Sequence, residues 1–389
     1  MKCKHEAVVA GGGVVGAAAA LALSRQGLDV ALVERGAPPA AFNPQTYDPR
    51  VYALSPGTVK FLETLGVWNR IAAQRVSPYG RMQIWDEQPD SALVFDAAEL
   101  GVSDLGHIVE DGLLRAALWS ALGGVTQHCN AQPRSLRQTD GISTLELSDG
   151  KVLEAPLVVV AEGADSPMRE WAGIEPMGWD YPQRSIVCHV ATGQPHGSSA
   201  YQRFLPNGPL AFLPLADGRS SIVWSTESAE AAELLKLDDE SFRERLETAI
   251  HHRLGAITSL TPRLSFPLRL LHAREYVRPG LVLVGDSAHV VHPLAGQGVN
   301  LGLADVQALA EVLQDARRQR REPGNLRVLQ RYERRRQAGN LEVLALTDGL
   351  YRMFKLRTPG WDALRELGMS LVGRFEPLKR QLARRAMGV

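Results

Sequence analysis

A chain of 389 residues is long enough for two domains with a sizeable core. Apolar residues make up 45% and charged ones 22%, the balance of a soluble globular protein rather than a disordered one. The 43 Lys and Arg are matched by 43 Asp and Glu, so no global field points to nucleic acid, and the scattered Cys3, Cys129 and Cys188 fit a reducing, cytoplasmic setting rather than a metal cluster or disulfide set.

The first apolar run, Ala7 to Leu23, holds four glycines and follows Glu6. It is shorter than the ~20 strongly apolar residues of a membrane span, and it does not read as a secretory signal. Ala7-Val8-Val9-Ala10 predicts a buried strand, Gly11-Gly12-Gly13-Val14-Val15-Gly16 a turn into a small-residue helix, and Asp29 to Val33 a second strand ending at Glu34. This is G-x-G-x-x-G in the context that gives it meaning: strand before, helix after, and an acid about 20 positions on. Gly11 permits the tight turn, Gly13 lets the backbone reach a pyrophosphate, and Gly16 lets helix and strand pack closely. Val14 and Val15 belong to the same predicted site. Glu34 can accept hydrogen bonds from an adenosine ribose and disfavours a 2′-phosphate, which favours FAD or NAD; Arg35 beside it pulls the other way.

After a proline-rich loop (Pro38 to Pro49), Ser55 and Pro56 predict a helix start, Leu62 and Leu65 its apolar stripe, and Gly66 its end. Arg50, on the loop before it, fits either a phosphate partner or a solvated loop arginine. Glu110 to Leu122 predicts an amphipathic helix. Leu157 to Val160 predicts a buried strand running into AEGADSPMRE, where Asp165 and Ser166 are capping types and Arg169 can close the turn electrostatically. From Tyr181 to about Pro267, alternating and aromatic segments separated by Gly, Pro and Asn turns predict a mostly antiparallel sheet. Inserted between halves of a nucleotide domain, such a sheet makes a substrate roof. Gln202, Arg203 and Phe204, just before a turn, fit a pocket lining and a packed strand end equally.

The stretch GDSAHVVHPLAGQGVNLGLAD, Gly285 to Asp305, begins at the end of an apolar strand (Leu281 to Val284) and finishes in a helix (Leu301 onward). Its glycines leave backbone N–H groups free to approach a flat ligand, and Asn300 is placed to cap the helix. The pattern suits the pyrimidine edge of a reduced flavin, and spacing alone suits an ordinary crossover too. His289 and His292 are either acid–base groups or residues that hold the loop; His292 is the one catalytic candidate. No metal site is expected. From about Asn340 the chain reads as helical and then basic, with nine Lys/Arg against three Asp/Glu between Tyr351 and Val389. Trp361, Leu371 and Phe375 interleave with those charges, as on a membrane-surface or partner-docking face. A packed helix pair with a basic exterior fits as well. Liposome co-sedimentation of a protein lacking residues 350–389 discriminates them, and undiminished binding would remove the membrane role.

Four blocks taken together, GGGVVG with Glu34, DPRVYALS with LGVW, AEGADSPMRE and GDSAHVVHPLAGQGVNLGLAD, give a chain that resembles single-component FAD-dependent aromatic hydroxylases of the para-hydroxybenzoate-hydroxylase-like fold. More narrowly it resembles the hydroxylases of ubiquinone biosynthesis, a likeness that QRFLPNGPLAFLPL and LKRQLARRAMG share. The resemblance implies an α/β protein: a Rossmann-like FAD-binding domain, an inserted β-sheet substrate domain and C-terminal helices. The expected boundaries are 1–75, 99–180 and 268–340 for the FAD-binding domain, 76–98 and 181–267 for the substrate domain, and 341–389 for the helices.

It further implies that Gly11, Gly13 and Gly16 hold the FAD pyrophosphate, Glu34 the ribose, and Arg50 a place near pyrophosphate and flavin. Asp286 would bond the ribityl or pyrophosphate region, while Pro293, Gly296, Gln297, Gly298, Val299 and Asn300 line the isoalloxazine. Glu162 stands where the family has aspartate, and Asp111 where the branch often has asparagine. The implied chemistry takes hydride from transiently docked NADPH or NADH and delivers OH from O2 to an electron-rich ring. The implied substrate is a polyprenylated phenol or benzoquinol. A small aromatic acid, which would call for an arginine clamp, and a non-catalytic FAD-binding subunit are the alternatives. The implied setting is cytoplasmic, peripheral at the inner face of the membrane, with membrane or biosynthetic-complex contact through the basic C-terminus.

Overall fold

The computed structural model describes residues 2–86, 92–292, 296–355 and 376–388. At its centre Ala7–Ala10 lies between Leu157–Val160 and Val30–Glu34, all parallel, with Thr126–Cys129 outside one neighbour and Leu281–Leu283 outside the other. The antiparallel pair Val277–Arg278 completes a six-stranded sheet. Its inner strands are short apolar runs buried on both faces, the composition a helix-covered parallel sheet requires. The helices Val14–Arg25 and Gly298–Arg318 share one core with it.

The region read as alternating forms the larger part of a nine-stranded sheet. Its long strand Pro176–Thr192 pairs with Leu264–Ala273 on one side and Ser220–Glu227 on the other. Gly208–Pro214, Ser199–Leu205, Arg81–Trp85 and Leu93–Asp96 follow in order, and all but the Ser199–Leu205/Arg81–Trp85 pairing are antiparallel. Side chains alternate between the two faces. One face carries Trp85, Ile186, Phe212, Ile222 and Trp224 into a core under the helices Ser228–Lys236 and Asp239–Ala249. The opposite face meets the loops that hold His292 and Asp48 and, through Phe204, the residues Leu350, Tyr351 and Met353. His289–Val290 leaves the central sheet and pairs with His272 and Leu271 at the rim of the large one. The stretch from Leu281 to Val290 therefore stitches the two sheets together.

The helix expected from about Asn340 opens earlier and runs Leu326–Lys355, because Asn325 accepts the Arg327 N–H at 2.9 Å as an N-terminal cap. The C-terminal helix Glu376–Met387 seats Ala383 and Met387 beside Ala97 and Leu105, and Lys379 reaches Glu99 at 2.8 Å. Trp361, Leu371 and Phe375 lie outside the described residues. No described helix is long and apolar enough to cross a membrane.

Candidate active site

The turn Gly11–Gly16 is built for close approach. Gly11 has φ +104°, and a Cβ there would lie 2.2 Å from the Ala161 carbonyl oxygen of the neighbouring strand's end. A Cβ at Gly16 would meet the Gly11 oxygen at 1.8 Å. In front of Gly13, by contrast, nothing stands within 4 Å of where a Cβ would be. The helix opening at Val14 has no capping side chain and no acid in its first turn, so its first N–H groups and the positive end of its dipole remain for an anion. Glu34, at the end of the second strand, accepts the Gly12 N–H at 2.6 Å and the Gly36 N–H at 2.8 Å. Each of its oxygens keeps a further lone pair, enough for a ribose hydroxyl. Arg35 beside it is exposed. An open glycine, an uncapped helix start and a carboxylate at the next strand's end fit the pyrophosphate and ribose of a dinucleotide.

The Gly285–Asp305 stretch is brought directly against this cradle. Val15 packs between two glycines of the stretch: a Cβ would lie 3.1 Å from its side chain at Gly285 and 2.6 Å at Gly302. Asp286 follows Gly285 in a single tight turn and is open to the cleft. The protein mass walling it in raises its carboxyl above the ordinary range, against the pull of His289 and Arg50. Arg50 is fixed by its backbone, its N–H bonded to Asp48 at 2.9 Å and its carbonyl to the Asp111 N–H at 3.0 Å, while its guanidinium is exposed 5.6 Å from the Tyr52 ring. Asp111 is engaged elsewhere, accepting the Tyr52 hydroxyl at 2.7 Å.

At the far end of the stretch, Gly296 has φ +58° and Gly298 has nothing within 4 Å of where a Cβ would be. The helix opens at Gly298, three residues before the expected Leu301, so Asn300 does not cap it. Its carboxamide instead accepts the Ser55 N–H at 3.0 Å and the Thr58 hydroxyl at 2.7 Å, and donates to the Ala53 oxygen at 2.8 Å. A side-chain bridge to a loop some 245 positions away cannot be read from local capping rules. The helix start is again uncapped by any side chain, with Gln297 and Gly298 half-buried and Val299 buried. Pro293 lies outside the described residues.

Behind this surface sits a buried ion cluster. Asp305 is fully buried; one oxygen accepts the Gly285 N–H at 3.1 Å and pairs with His289 Nε2 at 2.6 Å, the other takes Arg336 at 2.7 Å and Asn340 at 3.1 Å. Burial alone would raise its carboxyl, but His289 and Arg336 hold it down at about 2. Asp305 was not among the expected site residues. Its signal was an acid set between Leu303 and Val306 on the apolar side of a helix, where unpaired charge is not tolerated.

His292 is equally buried and differently used. Gln183 donates its amide to the Asn207 oxygen at 2.6 Å, so its oxygen is the acceptor for His292 Nε2 at 3.0 Å. Burial pushes the imidazole down to about 4, keeping it neutral between the rings of Tyr181 (5.0 Å, edge-on) and Tyr351 (5.7 Å, stacked). The histidine thus ties the loop to the large sheet. Glu162, in the AEGADSPMRE block, accepts the Ser166 hydroxyl at 2.7 Å and the Met168 N–H at 3.2 Å. Ser287 and Gly163 exchange hydrogen bonds at 3.1 and 3.2 Å, which ties that block to the Asp286 turn.

The large sheet closes the cleft. On its inward face Gln183 touches His292, and His189 meets the Asp48 carbonyl at 2.9 Å. Between them on the same strand face lie Ser185 and Val187. Phe204 is also inward, packed with Ile84, Tyr351 and Met353, and Gln202 shares its face. Arg203 is not: its guanidinium runs to the Asp86 and Ala249 carbonyls at 3.0 and 2.7 Å, at the end of an outer helix. Among the described residues, the inward positions of these strands carry no Lys or Arg.

A family model described as FAD binding domain matches residues 4–346. The chain is 39% identical over 387 residues to 3-demethoxyubiquinol 3-hydroxylase of Escherichia coli (strain K12), covering 99% of this chain and 98% of that protein. It is 35% identical to the ubiquinone biosynthesis monooxygenase COQ6 of Xenopus tropicalis, covering 97% and 92%. Its fold matches the crystal structure of p-nitrophenol 4-monooxygenase from Pseudomonas putida with a TM-score of 0.78 at 22% identity, over 100% of this chain and 99% of that one. The chain belongs to the FAD-binding-domain family, as a flavin-dependent aromatic monooxygenase in the branch of the ubiquinone-biosynthesis hydroxylases.

Proposed function

We propose that this enzyme hydroxylates the ring of a polyprenylated phenol or benzoquinol in ubiquinone biosynthesis. Electrons come from NADH or NADPH; one atom of O2 enters the ring and the other leaves as water. FAD, when bound, accepts the hydride and supplies the activated oxygen. The chain's part is to hold, orient and dry the site. Gly11, Gly13, Val14, Val15 and Gly16 would cradle the pyrophosphate, with Glu34 on the ribose and Arg35 at its margin. Arg50 and Asp286 flank the middle of the cleft. Gly296, Gln297, Gly298, Val299 and Asn300, with Pro293, would face the ring system, where the uncapped helix start offers donors to an edge that gains negative charge on reduction. His292, buried and neutral, is assigned to holding that loop rather than to moving a proton.

The observation that carries the substrate class is the inward face of the large sheet. It offers the half-buried Val187, Val223, Ala211 and Ile84, with Phe204 and the mutually bonded Ser185 and Ser225 buried beside them, and, among the described residues, no cation for a carboxylate. A small aromatic acid would bind there uncompensated. The test is FAD-loaded protein given NADH or NADPH with either a prenylated phenol or 4-hydroxybenzoate, read by mass spectrometry. The expected result is a product one oxygen heavier from the prenylated phenol alone. Preferential hydroxylation of the benzoate would sink the assignment, and nicotinamide left unconsumed with every phenol would favour a non-catalytic subunit. Peripheral contact with a membrane surface through the basic C-terminal tract accompanies this reading, since such substrates reside in bilayers.

A further inference from the structure

Strand register draws one straight row across the inward face. Gln202 pairs with Ala211, Ala211 with Val223, Val223 with Val187, and Val187 with Leu264. A second row, Ser225–Ser185–Phe266, runs beside it. Four inter-strand steps carry the first row about 19 Å, from the cleft to the rim of the sheet. Ala211, Val223 and Val187 are half-buried, as residues lining a concavity are, and the rows end on Leu264 and Phe266, which are 40% and 49% exposed. The other face of the same rim is polar: Arg184 covers Ser265, its guanidinium 2.9 Å from the hydroxyl and 3.1 Å from the carbonyl. A rim that is polar outward and apolar inward offers its inward side to an apolar occupant.

Among the described residues, no strand pairs with the outer edge of Leu264–Leu270, the only partner on that side meeting Leu271 and His272. Pro267 removes one N–H from that edge, which discourages a second copy from adding a strand there. We infer that Ala211, Val223 and Val187 form an apolar gutter, with the buried Ser225 and Ser185 beneath its edge, that takes the isoprenoid tail of the substrate and leads it from the ring site over Val187 and out across Leu264 and Phe266. This rests on the proposed function, since it names where that substrate's tail lies. The gutter recognises an uncharged branched hydrocarbon chain by area alone, since the Ser185 and Ser225 hydroxyls beside it are buried and bonded to each other at 3.3 Å.

The experiment compares kcat/KM for a phenol bearing one isoprene unit and one bearing four, in wild type and in Leu264→Ser/Phe266→Ser. Retained FAD absorbance reports that the variant folds. The ratio of long-tail to short-tail kcat/KM is expected to fall about tenfold in the double variant. Ile142→Ser/Trp171→Ser removes two comparably exposed apolar residues, at 40% and 43%, from elsewhere on the surface and is expected to keep the wild-type ratio. A wild-type ratio in the Leu264/Phe266 variant overturns the gutter while leaving the proposed function standing. Failure of wild type to hydroxylate either phenol overturns both. An unchanged ratio with an altered sedimentation coefficient would make the rim a contact between copies of the chain, which also overturns the gutter.

Discussion

Gly16→Ala is expected to give a protein that purifies without FAD and melts well below wild type. The added Cβ would stand 1.8 Å from the Gly11 oxygen and 3.1 Å from the Ala161 Cβ. Neither neighbour can yield by a rotamer change: Gly11 is pinned by its N–H to the Val33 oxygen at 2.8 Å, and the Ala161 N–H is bonded to the Ala10 oxygen at 2.8 Å. The helix Val14–Arg25 must therefore lift off the strand, and Val15 is withdrawn from Gly285 and Gly302. Overpacking of this kind costs about 1–3 kcal/mol where the structure can adjust, and more against fixed backbone. Displaced helix N–H groups no longer converge on an anion, so FAD affinity is expected to fall at least 100-fold, roughly 3 kcal/mol.

Gly13→Ala separates packing from binding. Nothing lies within 4 Å of that Cβ, so the melting temperature of the FAD-free protein is expected to match wild type. The methyl group instead enters the space the pyrophosphate would use, and FAD titration is expected to show a similar loss. Differential scanning calorimetry with flavin absorbance reads both variants. Full FAD occupancy in either one would sink the assignment of this turn.

The contrast between these two glycines shows what sequence could supply. Spacing alone marked Gly11, Gly13 and Gly16 because each answers a local demand of strand, turn and helix. The buried runs Ala7–Ala10 and Leu157–Val160 announced a parallel sheet, and the alternation after Tyr181 announced the antiparallel one. Arg203 escaped that logic, since its partners are the Asp86 carbonyl far upstream and the Ala249 carbonyl at a helix end more than 40 residues downstream. Asn300 escaped it too: a residue type that caps helices was recruited by Ser55, Thr58 and Ala53. Long-range side-chain bridges leave no periodic trace, so their composition is visible and their partners are not. The gutter was hidden for the same reason, because a cross-strand row exists only once register is set.

Asp305 is where the unread part of the site carries most energy. Asp305→Ala leaves the half-buried Arg336 without its counter-charge, and the buried His289 ring and the Gly285 N–H without their hydrogen-bond partner. Breaking a buried ion cluster from one side costs about 3–5 kcal/mol, and a fall in melting temperature on the order of 5–10 °C should follow. On the proposed placement of Asp286 beside FAD, the loss would reach the cofactor through Gly285, so weaker FAD binding is expected alongside. Asp305→Asn keeps the shape and removes the charge, which isolates the electrostatic share. In the folded protein the carboxyl is held at about 2 against an ordinary 3.8. A group depressed in the folded state adds stability above its unfolded value and loses it as pH falls through the folded one. Wild type should therefore shed about 2 kcal/mol between roughly pH 4 and pH 2 through this residue, and Asp305→Asn should lack that component of the slope. Urea unfolding of both proteins across that window decides the point. Parallel slopes, or a variant as stable as wild type at neutral pH, would show that Arg336 and His289 are satisfied without Asp305. The turn at Gly285 and Asp286 would then stand on its own backbone rather than on a charge buried behind it.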